Sequence, residues 1–160
     1  MTELLAASVK QVTVLEARSF DLTAAYRQLA IDDESGDFSF IAVFDPTDCT
    51  CKLYRQPALP FGARGSVHGF IRAAKALQWI STRALGIPTT SFYDDFVVST
   101  VPVLRVSAST SFETLLQLLG WRYDREGPKA GAFGPTLAVL GVEFSLAASG
   151  DGQVTVCNTA

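Results

Sequence analysis

The sequence feature that most constrains the fold is a pair of adjacent aspartates between two apolar segments. Residues 89–92 lead into Tyr93-Asp94-Asp95, and residues 96–100 follow. Two strand-forming segments around a short polar tip are typical of a β-hairpin. Adjacent carboxylates repel each other, and apolar flanks raise the cost of keeping both ionised. The pair is therefore either a solvated turn, where Asp is common, or a ligand pair for a divalent cation, which would remove the repulsion.

A third carboxylate, Asp21, ends another apolar strand, predicted over residues 12–22 with Val12, Val14 and Phe20 on one face. If this strand lies beside the hairpin, three carboxylates converge at one edge of the sheet. A two-metal phosphoryl-transfer site needs that arrangement. Mg²⁺ takes hard oxygen ligands, commonly one or two protein carboxylates together with substrate phosphate oxygens.

The other patterns predict two helices, a short helical turn over residues 22–30 and two more hairpins. Apolar spacings of three and four predict a helix over residues 66–85, ended by Gly86. Thr110 and Glu113 form a capping box that predicts a second helix over residues 112–119, closed by Gly120. A half-buried strand over residues 38–44 is expected to pair with residues 52–56, and residues 137–146 with residues 153–156. Helices on one face of a mainly antiparallel sheet make an α+β fold, and no linker divides the chain.

Charge is distributed unevenly along the 160 residues. The chain carries 13 basic and 16 acidic side chains, a net charge of −3, which taken alone argues against a phosphate-backbone binder. Residues 1–48 carry 3 basic and 9 acidic side chains, residues 49–93 carry 6 basic and none acidic, and residues 94–160 carry 4 and 7. A basic block therefore lies between two acidic ones, and the mean charge excludes nothing.

Several other classes of protein are disfavoured. No apolar run approaches the roughly 20 residues that cross a bilayer, so no membrane partner is expected, and no signal peptide is recognisable. An odd number of cysteines disfavours a disulfide scaffold and predicts an intracellular setting, cytoplasm or nucleus. Cys49, Cys51 and Cys157 with a single histidine do not suit a zinc site and are expected to be ordinary, partly buried thiols. Ser66 and His68 lie two apart on a helix and do not face each other, which argues against a hydrolase.

Five segments, in order, resemble the motifs of reverse transcriptases. Residues 20–28 (FDLTAAYRQ) look like the first catalytic motif, residues 59–66 (LPFGARGS) like the second, and residues 92–95 (FYDD) like the aromatic-x-Asp-Asp third. Residues 119–121 with Lys129, and then residues 140–144, resemble the later palm motifs, so the likeness covers about residues 12–146. The Leu-Pro-Phe-Gly form is most similar to retrotransposons of the long-terminal-repeat or tyrosine-recombinase-carrying kind. The resemblance implies a polymerase palm, a ferredoxin-like antiparallel sheet with two helices on one face plus a C-terminal hairpin.

The resemblance also implies a reaction, the addition of deoxynucleotides to a primer 3′-hydroxyl on an RNA or DNA template. Asp21 and Asp94 would hold two Mg²⁺ or Mn²⁺ ions, with Asp95 as a weaker or structural partner. Leu22 would lend a backbone carbonyl. Lys129 would protonate the departing pyrophosphate, although a surface-loop lysine is the simpler interpretation.

The same resemblance assigns residues to substrate and nucleic acid. Tyr26 would lie under the incoming sugar and select deoxynucleotides, and Phe61 with Gly62 would form the floor of the nucleotide pocket. The cations expected near template or primer phosphates are Arg64, Arg72 and Lys75. Simpler interpretations stay open: a core tyrosine, a turn before the helix, and a solvated helix face.

The chain also departs from the family. Little precedes Asp21 to form fingers, no thumb segment follows, and Val67 stands where a proline is frequent. We therefore expect a palm whose missing parts are supplied by a longer polyprotein, with little synthesis by this chain alone. The alternatives are a non-catalytic domesticated palm that binds nucleic acid or protein, and a retroelement remnant.

Overall fold

The computed structural model describes residues 13–126 and 131–159; Val12 and Lys129 lie outside the described residues. The described residues form a mixed α+β architecture with three small antiparallel sheets and three helices, which confirms the predicted class. They divide into two compact units, one of residues 13–23, 74–126 and 131–159 and the other of residues 24–73. Within the described ranges, no helix is long and apolar enough to cross a membrane.

The elements have the following bounds. The strands are β1 (Glu16–Asp21), β2 (Phe40–Asp45), β3 (Thr50–Arg55), β4 (Thr89–Phe92), β5 (Asp95–Thr100), β6 (Thr136–Val139), β7 (Val142–Ser145) and β8 (Thr155–Asn158). The helices are α1 (Asp33–Gly36), α2 (Arg64–Trp79) and α3 (Arg105–Leu118). A π-helical turn, Ile80–Ala84, continues α2, and 3₁₀ turns cover Ala25–Gln28, Pro102–Leu104 and Ser149–Asp151.

In the larger unit the main sheet has the order β1-β5-β4, all antiparallel. On the other side of β1, the amide of Thr23 donates to the carbonyl of Arg122 (3.1 Å), and the amide of Asp124 donates to the carbonyl of Asp21 (3.0 Å). Residues 122–124 therefore extend the sheet beyond β1, and the end of β1 that carries Asp21 is flanked on both sides.

Both helical segments of this unit pack on one face of the main sheet. Phe112 of α3 lies 4.8 Å, between ring centroids, from Phe20 and 5.9 Å from Phe96. On the same face, the hydroxyl of Ser81 is 2.6 Å from that of Thr89. Because side chains alternate between the two faces of a strand, Asp21, Asp95 and Val97 lie on the opposite face.

The third sheet, β6-β7-β8, differs from the prediction. Residues 137–146 were expected to form one strand, but Leu140 (φ 55°) and Gly141 (φ 75°) make a tight turn that divides them into β6 and β7. Two successive positive φ angles define the turn type that joins antiparallel strands most compactly. Leu rarely adopts a positive φ, which is why the sequence pattern does not reveal the turn.

In the smaller unit, β2 and β3 pair as the predicted hairpin, with Phe40 opposite Arg55 and Asp45 opposite Thr50. The expectation that the first strand is half-buried was wrong, because this two-stranded ribbon is exposed on both faces. For the same reason the expectation of partly buried thiols was wrong: Cys49 and Cys51 lie on this ribbon and Cys157 on an exposed strand, and all three are exposed.

The helix predictions were confirmed in part. The predicted helix over residues 66–85 corresponds to α2 with its π turn, and Gly86 follows at φ 67°. The capping-box prediction was wrong, because Thr110 lies inside α3, which follows the 3₁₀ turn that begins at Pro102. The predicted end at Gly120 was confirmed by its φ of 76°.

Candidate active site

The predicted carboxylates lie at one end of the main sheet. Asp21 is directly opposite Asp95 in the β1–β5 register. Asp94 precedes Asp95, and its carbonyl accepts a hydrogen bond of 3.3 Å from the amide of Leu22. Side chains directly opposite on antiparallel strands have Cβ atoms about 4.5–5.5 Å apart. The Asp21 and Asp95 carboxylates therefore leave the sheet as close neighbours on the same face.

The hairpin tip contains two residues rather than the three suggested by the sequence. Phe92 pairs with Asp95, so Tyr93 and Asp94 alone form the turn. Tyr93 has a φ of 51° and contacts Phe92 edge-on at 4.8 Å between ring centroids. A bulky residue at positive φ is strained, and such residues persist where the surrounding structure holds them, often at functional sites. Asp94 is thus held in a turn whose other residue, Tyr93, adopts a backbone conformation that tyrosine does not favour.

An apolar groove lies on the face of the sheet that carries Asp95. Its volume is about 340 Å³, and it lies between the main sheet and the third sheet. Val97 lines it from β5 and Phe144 from β7, while Thr90 and Asp95 are the polar side chains among the lining residues. Apolar walls exclude water from one side of a carboxylate, which strengthens its attraction to a cation.

The donor set fits a hard divalent cation. Asp21, Asp94 and Asp95 offer carboxylate oxygens, the ligands that Mg²⁺ prefers. Among the described residues, no group of three or more His, Cys, Asp or Glu side chains converges into a ready metal cage. Asp21, Asp94 and Asp95 therefore do not form a preformed three-carboxylate cage in the described part of the chain.

Leu22, whose backbone carbonyl the resemblance assigns to the site, lies where β1 meets the hairpin turn. Its side chain is buried in the core, and its amide holds the Asp94 carbonyl. Leu22 therefore ties the end of β1 to the hairpin turn through its backbone.

A partly buried ion pair that was not predicted from the sequence joins β1 to α3, on the face of the sheet where the helices pack. Arg18 donates to Glu113 of α3 at 2.7 Å and lies 4.3 Å over the Phe20 ring. Burial raises the pKa of Glu113, but hydrogen bonds from Ser109 and Arg18 outweigh it and lower that pKa below its usual value. The sequence signal for this ion pair was Arg18, a cation on the same face as Phe20 in a strand predicted to be apolar.

The substrate residues Tyr26, Phe61 and Gly62, predicted within the first and second motifs, lie in the smaller unit. Tyr26 stacks on Phe70 at 4.8 Å and meets the edge of Phe61 at 5.6 Å, between ring centroids. Phe61 is 87% exposed. Gly62 has a φ of 88°, and a Cβ there would meet nothing within 4 Å, so its turn conformation is sufficient to explain the glycine.

The three predicted nucleic-acid-binding cations are exposed on or at the start of α2. Arg64 and Arg72 form no ion pair with any described residue. Lys75 donates to the Gln78 side chain at 2.7 Å and to the Ser91 hydroxyl at 3.3 Å. All three charges remain available to solvent. The fourth predicted cation, Lys129, lies outside the described residues.

Comparison with protein-family models finds none that matches this chain, and comparison with curated proteins finds no match either. The resemblance to reverse transcriptases therefore stays a prediction that rests on the residues of this sequence.

Proposed function

We propose that this chain is the palm of an RNA-directed DNA polymerase of retrotransposon type. The observation that carries the proposal is the register that sets Asp21 opposite Asp95, with Asp94 in the adjoining turn. Carboxylate oxygens at one sheet end are the hard ligands that Mg²⁺ prefers. The reaction we propose is two-metal nucleotidyl transfer to a primer 3′-hydroxyl.

The connectivity of the larger unit supports the proposal. The smaller unit is inserted in the chain after β1. Within the larger unit, β1, the helical segment that begins at Ala74, β4, β5, α3 and the bridged residues 122–124 follow a β-α-β-β-α-β order, which is that of ferredoxin-like folds. The spatial order is residues 122–124, β1, β5, β4. Helical segments cover one face, and Asp21 and Asp95 stand on the other, at the sheet end that carries the Asp94 turn.

In this proposal each residue has a defined task. Asp21, Asp94 and Asp95 bind Mg²⁺ or Mn²⁺; when bound, the two ions activate the primer hydroxyl and neutralise the departing pyrophosphate. The Leu22 amide and the strained Tyr93 fix the position of Asp94.

The remaining tasks concern substrate. Tyr26 restricts the sugar, Phe61 and Gly62 form the nucleotide floor, and Lys129 supplies a proton to pyrophosphate. The cations that contact template or primer are Arg64, Arg72 and Lys75.

A single-nucleotide extension assay tests the proposal. The chain is incubated with poly(rA)/oligo(dT), a deoxythymidine triphosphate and Mg²⁺ or Mn²⁺. We expect addition of one or a few nucleotides without processive synthesis, and a loss of at least about 100-fold in Asp21→Asn, as expected when electrostatic stabilisation of the transition state is removed. The matched control is Asp151→Asn, which changes an exposed carboxylate in another turn of the same unit. Equal rates in both variants would contradict the proposal.

A second candidate function, a non-catalytic interaction module, is favoured by one observation. The β2–β3 ribbon exposes apolar side chains on both faces, including Phe44, Leu53 and Tyr54, a surface typical of protein contacts. Tryptophan fluorescence during Mg²⁺ titration separates the two candidates. A response abolished by Asp94→Asn favours the polymerase, and no response favours the module.

A further inference from the structure

The exposed side of the helical segment after Ala74 carries two cations and an indole. Lys75 and Trp79 are four residues apart in α2, which places them on one side of the helix, and Arg83 follows four residues later in the π-helical turn. We call these three residues the helix stripe. Trp79 is 64% exposed, an unusual position for so large a side chain without a partner.

No acidic group balances the helix stripe in its own sequence region, because residues 49–93 contain no Asp or Glu. Within the described part of the chain, Arg83 has no ion pair. Lys75 hydrogen-bonds neutral groups of Gln78 and Ser91, which orient its ammonium without neutralising it. The helix stripe therefore presents uncompensated positive charge on both sides of an indole.

The helix stripe belongs to the segment that runs along β4, the edge strand of the main sheet. Ser81 contacts Thr89 at one end of β4, and Lys75 contacts Ser91 at the other. Ser91 precedes Phe92, which closes the turn that carries Asp94. The helix lies on the face opposite to Asp95, so the helix stripe is a surface distinct from the carboxylate site.

We propose that the helix stripe binds single-stranded nucleic acid. Trp79 stacks on an unpaired base, and Lys75 and Arg83 contact phosphates on either side of it. Lys75 and Arg83 are separated by eight residues, about 12 Å along a helix. Aromatic stacking flanked by cations is how proteins hold single strands without reading their sequence.

Nucleic acid fits the helix stripe better than two other polyanionic partners. An acidic peptide would need the charges but would give the indole no base to stack on. A membrane surface would need several apolar side chains on the same helix face, and the helix stripe has one. The inference requires neither bound metal nor polymerase activity.

Fluorescence anisotropy of a labelled 12-residue oligo(dT), titrated with the full chain at low salt in EDTA, tests the inference. We expect Trp79→Ala to weaken binding about 5- to 100-fold, with Trp79→Phe in between, as for loss of one stacked base. Arg83→Gln should reduce the slope of log affinity against log salt by about 0.7, since one phosphate contact is lost. Circular dichroism checks that each variant is folded.

The matched control is Arg105→Gln, which removes the same charge from an exposed position on α3, 3.8 Å from Glu16. It should leave binding within about twofold, because it lies outside the helix stripe. If Trp79→Ala also binds within twofold, the inference is wrong. Displacement of the oligonucleotide by poly-glutamate, equally in the unmodified chain and Trp79→Ala, would also overturn it and indicate an acidic protein partner. Because EDTA removes divalent ions, the binding measured here does not depend on whether Asp21, Asp94 and Asp95 bind metal. The outcome is therefore independent of the proposed polymerase function.

Discussion

At the scale of single residues, Tyr93 and Glu113 explain how the sheet end is held. Tyr93 occupies a left-handed conformation beside Asp94, and Glu113 binds Arg18 on the opposite face of β1. Neither role follows from the local sequence, since Tyr has no preference for positive φ and the ion pair joins residues 95 positions apart. The aspartates themselves were recognisable, because adjacent carboxylates between apolar segments are unusual in any fold.

Two substitutions at Tyr93 isolate the backbone strain. Both Tyr93→Gly and Tyr93→Ile remove the ring contact with Phe92, but only glycine adopts a positive φ without cost. We expect the glycine variant to be more stable than the isoleucine variant by about 1–2 kcal/mol, the cost of left-handed backbone for an ordinary residue. Urea unfolding of both variants measures the difference, and equal stabilities would contradict the strained turn.

The pH dependence of unfolding tests the Arg18–Glu113 pair. Because the folded-state pKa of Glu113 is lowered, the pair contributes stability that is present above the unfolded pKa, about 4.3, and is lost as pH falls through the folded value. Glu113→Gln should cost about 1–2 kcal/mol at pH 7. This difference should shrink as the pH is lowered from 5 to 3.

The control for this measurement is Glu126→Gln, at an exposed position outside α3. Its stability should follow that of the unmodified chain at every pH. A Glu113→Gln variant whose deficit is constant with pH would show that the ion pair does not stabilise the fold.

At the scale of elements, local sequence patterns predicted most of the hairpins and helices, and the two errors concern a turn and the start of a helix. Helix α2 and the β2–β3 and β4–β5 hairpins follow from apolar spacing and turn residues in the sequence. The Leu140-Gly141 turn was missed because Leu140 adopts a positive φ, a conformation that leucine rarely takes. The capping box was misassigned because Thr110 and Glu113 also fit the middle of a helix, where Glu113 meets Arg18.

The β2–β3 ribbon allows a prediction at this scale. Phe44 and Leu53 are 62% and 71% exposed and lie on the same face of the ribbon. Replacing both by threonine, which suits strands, should change the free energy of unfolding by less than about 0.5 kcal/mol per site. A large loss of stability would show that these side chains are buried in the folded protein.

At the scale of the whole molecule, the net charge of −3 does not show that, within the described residues, some cations are paired with acids while others are not. Lys52 is paired with Asp45 at 2.6 Å and Arg55 with Asp37 at 3.2 Å, so acids within the smaller unit neutralise the cations of its hairpin. The cations that remain available are those of α2 and its continuation. Only some of the cations in the basic block of residues 49–93 are therefore free of acidic partners in the part of the chain that the structure describes, and able to attract a polyanion. The sequence alone does not show which ones, because the acids that pair with Lys52 and Arg55 come from outside the block.

The central claim, that Asp21, Asp94 and Asp95 form one divalent-cation site, is tested most directly by Mn²⁺ titration of the isotope-labelled chain. Paramagnetic broadening reports which backbone amides lie near the ion. We predict that the amides of Asp21, Leu22, Asp94 and Asp95 broaden first and that Asp21→Asn abolishes this, while Asp151→Asn leaves it unchanged. Broadening that begins elsewhere, or that persists in Asp21→Asn, would contradict the claim.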